Sequence, residues 1–194
     1  MDFKLDAFPV DETVGGLRST EKIRIIICYI LKNSESALTR DNVQSALYDN
    51  GIANYFEISQ AIDNLLDVGA IELHNDILVL NQKGEQIARD LKDELSLYIK
   101  NKAVRAAKLT AIYEKRKKEN EISIVKLDDK KYRLDITLLS GLANGETTDE
   151  LMKVSIFATD SLQAETMKTT FLNNPVRLYE KIIEALTEDS EFKE

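Results

Sequence analysis

The sequence predicts an α+β protein: an N-terminal helical body with a short hairpin, a long connecting helix, and a small C-terminal α+β domain with a three-stranded antiparallel sheet and two helices. Three observations carry that class. Apolar residues recur at helical spacing through residues 21–68, two short apolar runs flank Asn75-Asp76, and from Glu121 the apolar period drops to two. At 194 residues and 43% hydrophobic, the chain can hold one ordinary domain or two small ones.

Residues 1–18 read as an arm, with Phe3, Leu5 and Phe8 apolar, Pro9 a helix breaker and Gly15-Gly16 a loose joint. The run Glu21–Leu31 contains Ile25-Ile26-Ile27 and passes for a strand by residue preference. Spacing decides for a helix, because Ile23, Ile26, Ile27, Ile30 and Leu31 fall on one face. Ser19 or Thr20 can cap it. Cys28 lies in this apolar run and reads as a small core residue rather than a nucleophile. A second helix starts from Thr39 as N-cap, buries Val43, Ala46 and Leu47, and is closed by Gly51. The third opens at Asn54, with Glu57 placed for a capping box. It buries Ile58, Ala61, Ile62 and Leu65 and ends at Gly69.

Ala70–Leu73 and Ile77–Leu80 then form a hairpin about His74-Asn75-Asp76. Asn81 can cap the next helix, and Gly84 can allow close packing there. Residues 84–118 can form one helix, roughly 50 Å long at about 1.5 Å per residue. A break is expected near 100–102, where the stripe Ile87, Leu91, Leu95, Tyr98 fades. From Glu121, the residues Ile122, Ile124 and Leu127 mirror Tyr132, Leu134, Ile136 and Leu138 across Asp128-Asp129-Lys130. A loop from Gly141 to Asp149 leads to a strand over Leu151–Ala158. Asp160 with Gln163 caps a helix to about Leu172, and Pro175 opens a last one that buries Val176, Tyr179, Ile183 and Leu186. The resulting divisions are an arm at 1–18, an N-terminal body at 19–83, a connecting or dimerisation helix at 84–120, an α+β domain at 121–188 and a tail at 189–194.

Net charge is −8, but it is unevenly spread. Residues 1–82 carry −7, residues 83–120 carry +5 and residues 121–194 carry −6. Phosphate affinity therefore favours the middle band, whose basic tail is Lys115-Arg116-Lys117-Lys118. Catalysis has little to draw on. His74 is the only histidine and Cys28 the only cysteine, so a zinc site of Cys and His is excluded and no nucleophilic triad assembles. Neither an enzyme nor a cofactor is expected. No apolar stretch approaches the roughly 20 residues that span a bilayer. The acidic N-terminus lacks the order of a signal peptide, so the expectation is a cytoplasmic protein without membrane association.

Three helices, a hairpin and a helix beginning at Asn81 resemble the winged-helix superfamily, with the N-terminal body at 19–83 as a winged helix-turn-helix. In that arrangement the third helix enters the major groove by its N-terminal end. Asn54, Tyr55, Ser59, Gln60 and Asn64 then become candidate DNA contacts, because Asn and Gln read adenine edges while Ser and Tyr reach phosphate. Arg40 adds a phosphate contact, and Lys22 or Arg24 offers another. Glu57, Asp63 and Asp67 on the same helix oppose phosphate.

The stretch Asn54-Tyr-Phe-Glu-Ile-Ser-Gln-Ala-Ile-Asp-Asn-Leu65, the start Asn81-Gln-Lys-Gly84-Glu, and the pattern Phe171, Asn174, Tyr179, Ile182, Leu186 are similar to a bacterial family known as a domain of unknown function. The resemblance covers roughly Glu21 to Leu186. It implies winged-helix proteins that act as transcriptional regulators, and it brings no catalytic or ligand residues. The expected function is a homodimeric regulator of double-stranded DNA. The alternative is a protein-interaction scaffold that uses an acidic winged helix without DNA binding.

Overall fold

The computed structural model describes residues 16–17, 19–128, 131–140, 142–143, 146–147 and 149–187. The expected arm up to residue 15 and the tail from 189 lie outside these residues, as does the Asp129-Lys130 turn. The architecture is α+β, with seven α-helices among the described residues. The chain divides into two compact units, one ending at Ile112 and the other beginning at Tyr113.

In the first unit, α1 (Thr20–Asn33), α2 (Arg40–Tyr48) and α3 (Tyr55–Asp67) precede an antiparallel hairpin, β1 (Ile71–His74) and β2 (Ile77–Leu80). Helix α1 starts on Ser19, whose side chain accepts from the Lys22 N–H. Its burial exceeds the expected single face. Ile25 and Cys28 are enclosed together with Ile23, Ile26, Ile27 and Ile30, whereas Leu31 is only half-buried. A helix apolar on most sides is a central helix, with neighbours around it. Helices α3 and α4 (Gln82–Asp90) pack against it.

Thr39 caps α2 as expected, and the reciprocal capping box forms there with Asn42. At α3 the expected box with Glu57 is replaced by a simpler cap, in which Asn54 Oδ1 accepts from Phe56 N at 2.9 Å. The buried face of α3 is the expected Ile58, Ala61, Ile62 and Leu65. Asn75 and Asp76 both take positive φ, 49° and 65°, which makes the tight two-residue turn. His74 is therefore the last strand residue, opposite Ile77, rather than part of the turn. Leu38 and Thr39 add a short antiparallel contact to β2, with Leu78 N donating to Leu38 O at 2.8 Å.

Asn81 caps α4 by accepting from the N–H groups of Lys83 and Gly84, and its own amide donates to the Gly69 carbonyl. Gly84 earns its place by proximity. A Cβ there would meet Leu80 Cδ2 at 2.6 Å and the Ala70 carbonyl oxygen closer still.

The expected break at 100–102 lies elsewhere. Helix α4 ends at Asp90, a 3-10 turn covers Lys92–Glu94, and α5 runs unbroken over Leu97–Glu119. Ser96 Oγ accepts from Ile99 N at 3.3 Å, giving the new helix a start. The cause is burial. Leu95, Ile99, Ala103, Ala106 and Ala107 all enter the core, whereas Leu91 and Tyr98 of the expected stripe are exposed. The buried stripe continues through alanines, residues that look weakly apolar in sequence.

The second unit holds an antiparallel sheet in the order β3 (Glu121–Asp128), β4 (Lys131–Leu139), β7 (Glu150–Ala158), followed by α6 (Ser161–Asn173) and α7 (Pro175–Thr187). The expected loop at 141–149 contains a short pair, β5 (Leu142–Ala143) with β6 (Glu146–Thr147). Leu134, Ile136, Leu138, Phe171 and Leu172 form the core, with Ile122, Ile124 and Met152 against it. Leu127 does not join them. The register shifts between Lys126 and Asp128, and Leu127 is left exposed. Asp160 caps α6, and Arg116 closes its other end by donating to the carbonyls of Leu172 and Asn173.

Helix α7 departs furthest from expectation. Val176, Ile183 and Leu186 are exposed, Leu186 by 77%, and Tyr179 is half-buried. Pro175 is buried, with Leu178, Tyr179 and Ile182 half-buried. The expected burial of Val176, Ile183 and Leu186 is thus overturned, because helical spacing does not tell which of two adjoining stripes faces the core.

Candidate nucleic-acid interface

The surface face of α3 follows from which of its residues the core takes. With Ile58, Ala61, Ile62 and Leu65 inside, Phe56, Gln60, Asp63 and Asp67 are exposed, and Ser59 and Asn64 are half-buried beside them. Thr39 sets the start of α2, so Arg40 is its first residue. From there Arg40 Nη1 reaches Asp63 Oδ1 at 2.6 Å, and Nη2 reaches Ser59 Oγ at 2.9 Å. The hydrogen bond from Arg40 holds the Asp63 carboxyl below its usual range, and Asp63 in turn raises the Arg40 guanidinium. From α1, Arg24 Nη1 donates to Asn64 Oδ1 at 2.8 Å.

Two guanidiniums thus border the α3 face, and one of them neutralises Asp63. Four sequence candidates, Arg40, Ser59, Asn64 and the less favoured Arg24, come together there with Asp63. Gln60 is exposed among them. Asn54 is exposed but its Oδ1 is engaged in the cap. Tyr55 packs edge-on against Tyr48, ring centroids 5.9 Å apart, and against Phe56 at 5.8 Å.

Phe56 and Tyr48 are surface features that sequence reasoning passed over. Phe56 is 79% exposed, far beyond what a core-spaced aromatic would show. Its signal was available, since it lies outside the i, i+3, i+4, i+7 set of Ile58, Ala61, Ile62 and Leu65. The pairing of Arg40 with Asp63 had no such signal, being a contact 23 residues apart.

The wider charge map is acidic. Between Asp41 and Gln82 the sequence holds seven carboxylates and no lysine or arginine. Lys83, the cation nearest the hairpin in sequence, donates from Nζ to Val68 O at 3.1 Å and so serves the end of α3. In the basic tail of α5, Lys115 pairs with Glu119 and Lys117 with Glu114, while Arg116 caps α6. In the first two, intrahelical pairs, the lysine is exposed and the glutamate half-buried, and such pairs near the surface are weak enough to exchange for another anion.

Cys28 is fully buried and its thiol is pushed up from 9.0 to about 12, chiefly by loss of solvation. His74 is exposed on the hairpin, its Nε2 3.0 Å from Glu72 Oε2. No cluster of three or more metal-ligating side chains occurs among the described residues. No helix among them is long and apolar enough to cross a membrane.

Comparison with curated proteins and with solved structures finds no match. A family described as a domain of unknown function (DUF4364) matches residues 23–186, a span that takes in both units and carries no stated activity. The chain, with α3 and its bordering arginines inside that span, belongs to this family.

Proposed function

We propose that the first unit is a winged helix and that the protein is a DNA-binding transcriptional regulator acting as a homodimer. The observation that carries this reading is the pair of guanidiniums beside α3. Arg40 and Arg24 are held against Ser59, Asp63 and Asn64 on the helix that a winged helix presents to the major groove. Asp63, an objection to phosphate when read alone, is already neutralised there. Gln60 remains exposed to read a base edge, and Tyr55 stands near the helix start. The two arginines then supply phosphate contacts.

The test is selection of bound duplexes from a random pool at two salt concentrations. Enrichment of one sequence is expected, with affinity falling steeply as salt rises. Arg40→Ala should weaken binding to all sequences and lower the salt slope by about one, whereas Gln60→Ala should relax preference at one position. No enrichment at low salt would sink the reading.

A second reading rests on its own observation. Phe56 with Tyr48 and Tyr55 forms an exposed aromatic patch in a 42-residue stretch without lysine or arginine, Asp41 to Gln82. That surface suits a protein partner with basic residues around an apolar anchor, the winged helix then serving as a scaffold. Asp67→Lys separates the readings: it should strengthen duplex binding under the first and abolish partner capture under the second.

A further inference from the structure

In the first unit, residues of α1 and α5 line a groove of about 550 Å³. Tyr29 and Asn33 of α1 are one turn apart, and Val104, Arg105, Lys108 and Leu109 of α5 share one face. This face adjoins the one α5 gives to the core through Ile99, Ala103, Ala106 and Ala107, with Val104 half-buried between them. The groove is thus lined by helices on both sides, and its volume lies within the range of small-molecule sites.

Its chemistry is divided. Tyr29, Val104 and Leu109 supply apolar surface, Leu109 being 56% exposed. Asn101 offers a side-chain amide, and that of Asn33 also lines the groove while donating to the Tyr29 carbonyl at 2.7 Å. The positive charges differ in their engagement. Lys108 Nζ is 3.1 Å from Glu35 Oε2, and Lys100, over the Tyr29 ring at 5.9 Å, is also held by the Lys92 carbonyl. Arg105 is exposed, lines the groove and is bound to no carboxylate among the described residues. A guanidinium at the edge of an apolar floor is the arrangement that takes a planar anion with an apolar body.

We propose that this groove binds a small amphipathic organic anion, with its apolar part on Tyr29, Val104 and Leu109 and its carboxylate or phosphate on Arg105. The site belongs to the scaffold of the first unit and does not involve the exposed face of α3. It therefore stands or falls apart from DNA binding, and under the regulator reading it is where an effector acts.

The experiment is titration of the isotopically labelled full chain, followed by amide NMR. The probes are 1-naphthoate, 1-naphthyl phosphate and 1-naphthylmethylammonium, which share one apolar body and differ in charge. Saturable shifts are expected for at least one of the two anions at the side-chain amides of Asn33 and Asn101 and the backbone of Val104 and Leu109. The tighter anion identifies the headgroup. The ammonium should bind at least tenfold more weakly than that anion, and Arg105→Glu should weaken the anion at least fivefold. Arg89→Glu, an exposed charge on α4 away from the groove, should leave it unchanged. The proposal is overturned if neither anion gives saturable shifts there, if the ammonium falls short of that tenfold difference, or if Arg105→Glu costs less than fivefold. Because Arg105 is exposed, the variant keeps the fold, and its spectrum outside the groove verifies this.

Discussion

Cys28 shows how a single side chain takes its chemistry from its position. Enclosed on α1, it has lost the water that would solvate a thiolate, and its pKa moves from 9.0 to about 12. An unfolded chain releases this proton near the ordinary value while the folded chain keeps it. Between about pH 9 and pH 12 the unfolded state therefore binds fewer protons, and stability falls as pH rises through that window. Native protein should resist iodoacetamide and react at one thiol when denatured. Its urea midpoint should drop between about pH 8 and about pH 10.5 more than that of Cys28→Ala. Equal drops would show that the thiol is ionised in the fold. Asp63 is the opposite case, its carboxyl lowered by Arg40, so the pair is present at neutral pH and is lost as pH falls through the folded value.

At the scale of elements, the close approach of α4 to the hairpin rests on Gly84. Only a residue without Cβ can sit against the Ala70 carbonyl and Leu80, so Gly84→Ala forces the backbone apart. Overpacking of this kind should cost about 3 kcal/mol in the first unit, read as a lower denaturant midpoint in that unit's transition. A loss under about 0.5 kcal/mol would mean that the helix shifts freely. Elements with strong end signals were readable from sequence: Thr39, Asn54, Asn81, Asp160 and Pro175 mark real helix starts. The junction at 91–96 was not, because Leu91 and Leu95 continue an apolar period of four across it. Only packing reveals that Leu95 goes inward while Leu91 stays out.

At the scale of the whole molecule, the two units have separate cores, one around α1 and the other between β4 and α6. The exposed Val176, Ile183 and Leu186 of α7 give the second unit an apolar stripe, the surface on which the proposed homodimer would form. The wild-type chain should sediment as a dimer. Ile183→Asp with Leu186→Asp should convert it to a monomer without unfolding the second unit, as judged by its circular dichroism. A monomeric wild type at micromolar concentration would remove the dimer from the regulator reading. In a dimer bound to DNA, the two α3 helices should lie about 34 Å apart or a multiple of it.

Most helix and strand positions, the enclosure of Cys28 and the α3 core face were legible in the sequence, because caps, turns and apolar period act over a few residues; the junction at 91–96 and the β5–β6 pair were not. The partners of Arg40 and Arg24, the exposure of the α7 stripe, and the groove lined by Arg105 came only from the tertiary structure. Those features depend on which helix lies beside which, and contacts such as Arg24 with Asn64, 40 residues apart, leave no mark on local spacing. The α+β class is therefore a local property of this chain, whereas the chemistry of its surfaces is set by packing.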